Sequence, residues 1–241
     1  KVQNGTEVQR QRTYFLTIRR DNMDVFDIIG PVMIGPSSSH TAGAARIGKY
    51  ALNILGSEAV SAVIYFSGSF AKTYKGHGTD KAVIAGILGM DTDDPGIKFS
   101  FETAAYRGLE FEFHTCEIEN SHPNTVKIVL TNAAGKTVDI QGASIGGGNI
   151  VITKINDIDV EITGKFTTLI VLHRNLPGMI SDVTSILARH GINIGRFDLK
   201  RRPKGGKGVM IIELDSDVPV SVNEEIKNTK NVIDSTLLKA I

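Results

Sequence analysis

The chain has 241 residues, 41% of them hydrophobic, which is enough for one large or two modest apolar cores. Lysine and arginine number 27 against 26 aspartate and glutamate, a net charge of +1, so nothing selects nucleic acid or an anionic membrane surface as a partner. One cysteine, Cys116, excludes an intrachain disulfide framework and a multi-cysteine metal site built from this chain alone, and it suits a reducing cytoplasm; no apolar run has the length of a membrane span.

Residues 1–22 are polar and arginine-rich, show no secretory pattern, and read as an extension, disordered or not native, with Met23 the expected start. From 23 to 164 the pattern mixes helices and strands. Ser38 or Ser39 is a good N-cap for a helix expected over 40–55. Residues 60–66, rich in Val, Ile and aromatic side chains, read as a strand. Residues 68–78 are punctuated by glycine and read as a loop, ahead of a helix opened by Thr79 or Asp80 and closed near Gly89. Asp94-Pro95 starts another helix, ending at Gly108. Residues 109–119, 125–131 and 136–141 read as strands, the last two joined through Asn132-Ala133-Ala134-Gly135. Gly146-Gly147-Gly148 breaks the chain, and 149–156 with 158–163 forms a second hairpin around Asp157. Beyond a linker at Gly164-Lys165, strands are expected over 166–173, 192–201, 208–215 and 232–239, helices over 177–190 and 220–228, and a turn over 203–206. That β-α-β-β-α-β order is ferredoxin-like. The expected class is α+β, mixed α/β in its first part, with domains at 23–164 and 166–241.

Ser37-Ser38-Ser39-His40-Thr41 packs hydroxyls and an imidazole where a loop turns into a helix. A helix N-terminus offers free N–H groups and the positive end of the dipole to a carboxylate or phosphate. The same field disfavours a protonated imidazole, leaving His40 a neutral base near neutral pH. A serine-capped helix with a surface histidine accounts for the same residues, and both readings stand on local chemistry. Tyr74-Lys75-Gly76-His77-Gly78 sets a second histidine between glycines, as a ligand-approaching segment or a flexible loop. In Ser121-His122-Pro123-Asn124-Thr125, Asn124 suits a substrate carboxylate or amine, and the residues equally make a turn. The triple glycine can cradle a phosphate, with Lys72 or Lys75 holding pyridoxal phosphate, but strand character follows it, which favours a bulge or tight crossing. Cys116 and His114 read as strand residues and His190 as a helix-end cation. His173, Asn175 and Gly178, in the connection before the first helix of the second unit, together with Asn193, offer a site for an amino-acid zwitterion, or a plain tight turn.

Residues 25–31 running into Gly35-Pro36-Ser37-Ser38-Ser39-His40-Thr41-Ala42-Gly43, then 68–80, His122-Pro123-Asn124-Thr125 and Ser144-Ile145-Gly146-Gly147-Gly148, resemble successive blocks of the β chain of the bacterial iron–sulfur L-serine dehydratases. His173-x-Asn175-x-Pro177-Gly178 is similar to an ACT domain, so the resemblance covers about 23–241. It implies a first domain like the allosteric substrate-binding domain of some phosphoglycerate dehydrogenases, and the conversion of L-serine to pyruvate and ammonia. It also implies a 4Fe-4S cluster. Such a cluster needs at least three cysteines and this chain has one, so the resemblance places it on a separate α chain, with the active site between the chains. The roles it implies are His40 and His77 as catalytic residues, His40 being the base, and Ser37, Ser38, Ser39 and Thr41 as residues that bind the substrate carboxylate or orient His40. Tyr74, His122 and Asn124 would line the pocket. His173, Asn175, Gly178 and Asn193 would hold an amino-acid effector, and ACT sheets would pair β chains into a homodimer. The competing readings are an amino-acid-sensing regulatory subunit with an anion site and no catalytic residue, and, more weakly, a pyridoxal-phosphate lyase.

Overall fold

The computed structural model describes residues 32–156, 158–201 and 206–240. The N-terminal extension, Met23, the motif at 25–31, Asp157 and most of the 203–206 turn lie outside them.

The first described helix is α1 (Gly43–Leu55). Its buried Ile47, Tyr50, Ala51, Ile54 and Leu55 recur at helical spacing, so a single stripe faces the core. Next come β1 (Ala59–Phe66), α2 (Gly68–His77) and α3 (Thr79–Ile87). A 3₁₀ turn (Pro95–Phe99) leads into α4 (Ser100–Arg107). Five strands follow: β2 (Glu110–Thr115), β3 (Thr125–Asn132), β4 (Thr137–Gly146), β5 (Asn149–Ile155) and β6 (Ile158–Ile162). The first sheet has the order β2-β1-β3-β4-β5-β6, with β1 and β2 parallel and every other neighbouring pair antiparallel.

The second sheet contains β7 (Thr167–Arg174), β8 (Ile194–Arg201), β9 (Lys207–Leu214) and β10 (Val232–Leu238), with α5 (Met179–Arg189) and α6 (Val220–Lys227) as its helices. Its order is β10-β7-β9-β8, all antiparallel, the ferredoxin-like arrangement. Met179, Val183 and Leu187 of α5 and Val222 and Ile226 of α6 pack on one face of it. The other face contributes Ile170, Val209, Ile211 and Leu238 to the same buried cluster as Ile54 of α1 and Val160 of β6. The expected α+β class is therefore observed.

Four local expectations are corrected. The 68–78 segment is helix α2, not a loop: Gly68 and Gly78 stand at its ends with positive φ, and only Gly76 is interior. Buried Phe70 and the ring of Tyr74 one turn on anchor that helix to Phe66. The N-cap is Ser37 rather than Ser38 or Ser39; its Oγ accepts the His40 N–H at 3.2 Å, and a π-helical turn (Ser38–Ala42) runs into α1. Strand β4 extends past residue 141 to Gly146 because β5 pairs with that extension, and the triple glycine then turns with φ of 106°, 58° and 79°. The 109–119 strand stops at Thr115, although the Cys116 N–H still reaches the Phe66 carbonyl at 2.9 Å.

Two glycines let α1 and α3 cross at backbone contact. A Cβ on Gly86 would overlap the Ala45 carbonyl, and one on Gly48 would overlap the Val83 carbonyl. Gly86→Ala is expected to lower unfolding free energy by about 1–3 kcal/mol through overpacking. Gly76→Ala meets nothing within 4 Å and is expected to raise it by about 0.5–1 kcal/mol through helix propensity. Paired urea unfolding curves check both signs.

Candidate functional site

The site begins at the junction of the π-helical turn and α1. Ser37, extended at φ −147°, caps the turn, and this fixes His40 on its first exposed side. The Ser37 Oγ also lies 3.4 Å from His40 Nδ1. On the other side of the ring, His40 Nε2 lies 3.5 Å from Ser69 Oγ. The ring edge of His40 meets buried Phe70 at a centroid separation of 5.2 Å, and the His77 ring is 4.7 Å away. Ser69, Thr73 and His77 recur every fourth residue of α2, so one face of that helix confronts His40.

Two backbone contacts hold α2 in place. The Pro123 carbonyl accepts from the N–H groups of Ser69 at 2.6 Å and Phe70 at 3.4 Å. Gly68, with φ of 61°, lies so close to Pro123 that no side chain fits there. On the neighbouring strand the Asn124 carbonyl accepts from Ser144 N–H at 3.0 Å, and Ser144 packs against Gly43 at the start of α1. Arg46 of α1 donates to the Gly148 carbonyl at 2.8 Å, tying the triple-glycine turn to the same helix. Four separated sequence blocks thus meet around one turn.

Burial lowers the His40 pKa below its ordinary 6.5, and the nearby His77 lowers it further, because two protonated imidazoles at that distance repel. His40 is therefore a neutral imidazole at neutral pH. Thr41 Oγ1, His77 Nδ1, Thr79 Oγ1 and Ser144 Oγ are buried with no hydrogen-bond partner among the described residues, a concentration of unsatisfied polar atoms that ordinary cores avoid.

Not every expected residue converges. The Tyr74 ring stacks on Phe66 at 4.8 Å and joins the aromatic core. His122 is exposed, its Nδ1 accepting from Asn124 N–H at 3.1 Å. It shares a groove of about 580 Å³ with Ser69, Lys72, Glu117 and Ser121. Asn124 is not among the residues that line that groove; its backbone N–H and carbonyl are bonded to His122 and Ser144. Thr41 is buried under the turn, against Gly35. In the second unit, His173, Asn175 and Gly178 line one groove with Ser181 and Arg201, of about 1230 Å³. Asn193 lies apart from it, its amide committed to the Asp215 carboxylate. Lys72 is exposed, and Lys75 sits over the Tyr74 ring at 5.8 Å. Ser69, Phe70 and Ser144 are site residues that reading the chain as loops concealed; the four-residue spacing of Ser69, Thr73 and His77 is the signal that α2 makes legible.

Ser37, His40, Ser69 and His77 are each partly exposed, and Ser69 borders the groove that it shares with Lys72 and His122. Two imidazoles and several hydroxyls, all partly exposed, stand together at the start of a helix.

Comparison with known proteins gives the chain a family. The profile described as "ACT domain" matches residues 167–231, so the second unit is an ACT domain. The profile described as "Serine dehydratase beta chain" matches residues 23–105. The "Probable L-serine dehydratase, beta chain" of Bacillus subtilis (strain 168) is 43% identical over 212 residues, covering 88% of this chain and 96% of that one. The "L-serine dehydratase, beta chain" of Peptoniphilus asaccharolyticus is 40% identical over 202 residues, covering 83% and 91%. A D-3-phosphoglycerate dehydrogenase of Methanocaldococcus jannaschii is 30% identical over 120 residues, 50% of this chain and 22% of that one. The chain belongs to the family of L-serine dehydratase β chains.

The electrostatics can be tested directly. In the intact chain, the NMR titration midpoint of His40 is expected below 6.5, its ordinary value. His77→Asn removes one of the two causes and is expected to move that midpoint up, while burial keeps it under 6.5. Because the folded pKa is depressed, the stability linked to His40 is complete above its unfolded pKa and is lost as pH falls through the folded value.

Proposed function

We propose that this chain is the β half of a two-chain L-serine ammonia-lyase, in which His40 takes the α-proton of L-serine. The observation that carries the reading is the His40–His77 pair, 4.7 Å apart on an open face, with a serine hydroxyl at each nitrogen of His40. Removal of the α-proton needs a neutral base, and burial together with His77 keeps His40 neutral. Once His40 is protonated, the same neighbour favours giving the proton up, so the base is regenerated in each cycle. The hydroxyls of Ser37, Ser38 and Ser39, with the free N–H groups of the π-helical turn, suit the substrate carboxylate. Thr41 supports that turn from beneath, and His122 and Asn124 flank the approach through the Ser69 groove. Loss of the β-hydroxyl gives aminoacrylate, which tautomerises and hydrolyses to pyruvate and ammonia.

The 4Fe-4S cluster that the resemblance implies does not fit this chain's donor set. There is one cysteine, and among the described residues no group of three or more His, Cys, Asp or Glu side chains is placed to hold a metal ion. In this reading the cluster belongs to the α chain, which docks on the open face and closes the pocket. Among the described residues no helix is long and apolar enough to cross a membrane, and we place the enzyme in the cytoplasm. The ACT groove of His173, Asn175 and Gly178 is proposed as an effector site. Strand β8, paired among the described residues with β9 alone, is the proposed edge for β–β association.

The groove also favours one other reading, an amino-acid-sensing subunit without catalytic residues. Co-expression with the α chain under anaerobic conditions, followed by a pyruvate assay, separates the two. His40→Ala is expected to lower kcat by about 100-fold or more, the usual contribution of a general base. Turnover within about tenfold of the unmodified enzyme would overturn the catalytic assignment and leave the sensing subunit.

A further inference from the structure

A neutral imidazole has one proton for two nitrogens, and a base must present its bare nitrogen to the substrate. In His40, Nδ1 is turned back into its own turn, 3.4 Å from the capping hydroxyl of Ser37. Nε2 points across to α2 and lies 3.5 Å from Ser69 Oγ, at the edge of the groove that Ser69 shares with Lys72 and His122. Nδ1 is thus held by its own turn, and Nε2 is the nitrogen left for a substrate. A useful base therefore needs its proton on Nδ1.

The two serines can arrange this. Ser37 Oγ already accepts the backbone N–H of His40 and has a second lone pair for Nδ1–H. Ser69 Oγ then donates to the bare Nε2. We propose that Ser69 is a positioning residue for His40: in the resting site its hydroxyl donates to Nε2 and so holds the neutral ring with its proton on Nδ1, and the hydroxyl rotates away to leave the Nε2 lone pair to the substrate. This inference rests on the catalytic reading of His40 given above.

The backbone around Ser69 supports the role. Its N–H is anchored on the Pro123 carbonyl at 2.6 Å, and its own carbonyl accepts from Thr73 Oγ1 at 2.8 Å. The hydroxyl is the one polar group of Ser69 left for the site. The Pro123 block therefore acts on the chemistry through a backbone oxygen, by fixing where Ser69 stands.

The experiment compares Ser69→Ala and Ser69→Thr in the β chain, with His40→Ala in parallel. Imidazole ¹⁵N NMR on the full β chain reads the tautomer without turnover. Pyruvate formation by the co-purified two-chain enzyme reads kcat, KM and the acid limb of the pH profile. The expected results are a protonated Nδ1 in the unmodified chain and a mixed-tautomer signal in Ser69→Ala. That variant is also expected to lose about 10-fold or more in kcat, with KM within about twofold and the backbone anchors intact. Its acid limb should move to higher pH, because the lost hydrogen bond favoured the neutral ring. Ser69→Thr, which keeps the hydroxyl, is expected to restore kcat and the limb. A bare Nδ1 in the unmodified chain, or Ser69→Ala with unchanged tautomer and kcat within about twofold, overturns the inference. His40→Ala separates the failures. If it remains active the catalytic reading itself falls; if it is inactive while Ser69→Ala is normal, only the role of Ser69 falls.

Discussion

The geometry of the site depends on how closely α1 and α3 cross. His40 stands one turn before α1, and His77 one residue before the glycine that opens α3. The separation of the two imidazoles is therefore set by the separation of the two helices. Gly48 and Gly86 remove the side chains that would hold those helices apart, and each brings its Cα against a carbonyl of the other helix. Interiors packed at crystal-like density transmit such displacements rather than absorb them. A methyl group at the crossing would act on the histidine pair from several residues away, without touching either ring.

The pair is useful because it is neither fully buried nor fully wet. Phe70 and the turn remove enough water from His40 to depress its pKa, and His77 adds a repulsion that screening does not erase at ring contact. Near the pair, Thr41 Oγ1, Thr79 Oγ1, His77 Nδ1 and Ser144 Oγ are buried with no hydrogen-bond partner among the described residues. In the two-chain reading proposed above, these are the proton-handling groups of one side, and the electrophile comes from the other chain.

Much of this was legible in the sequence, and the part that was not has a physical cause. The period-two strands and the β-α-β-β-α-β order follow from local patterning, and so does the Ser37–Thr41 motif. Helix α2 was not legible because three glycines in eleven residues read as a loop, when two of them are end positions where positive φ is needed. That misreading hid Ser69, since its relation to His77 exists only at helical spacing. Tyr74 was placed in the pocket by the resemblance, but stacking on Phe66 and Phe113 decides its direction. Asn193 looked like a ligand partner of Asn175. A hydrogen bond to Asp215, 22 residues away in sequence, settles it elsewhere, and no local pattern could show that.

The least legible feature is the junction between the two sheets. Gly164-Lys165 reads as a linker between independent units, yet one apolar cluster includes Ile54 of α1, Val160 of β6 and Ile170, Val209 and Ile211 of the ACT sheet. Tyr50, fully buried on α1, has its hydroxyl beside Thr168 and Glu213 of that sheet, and burial raises its pKa. Exposed ion pairs across the junction, Lys136 with Asp234 and Arg196 with Glu161, add little by themselves. The apolar contact is the substance of it. A helix of 13 residues moves as a stiff body, with the His40 turn at its start and the ACT sheet against its second half. A tethered sensor would reach the site only through a flexible linker. Here any displacement of the ACT sheet that α1 follows is a displacement of His40, because both are fastened to the same helix.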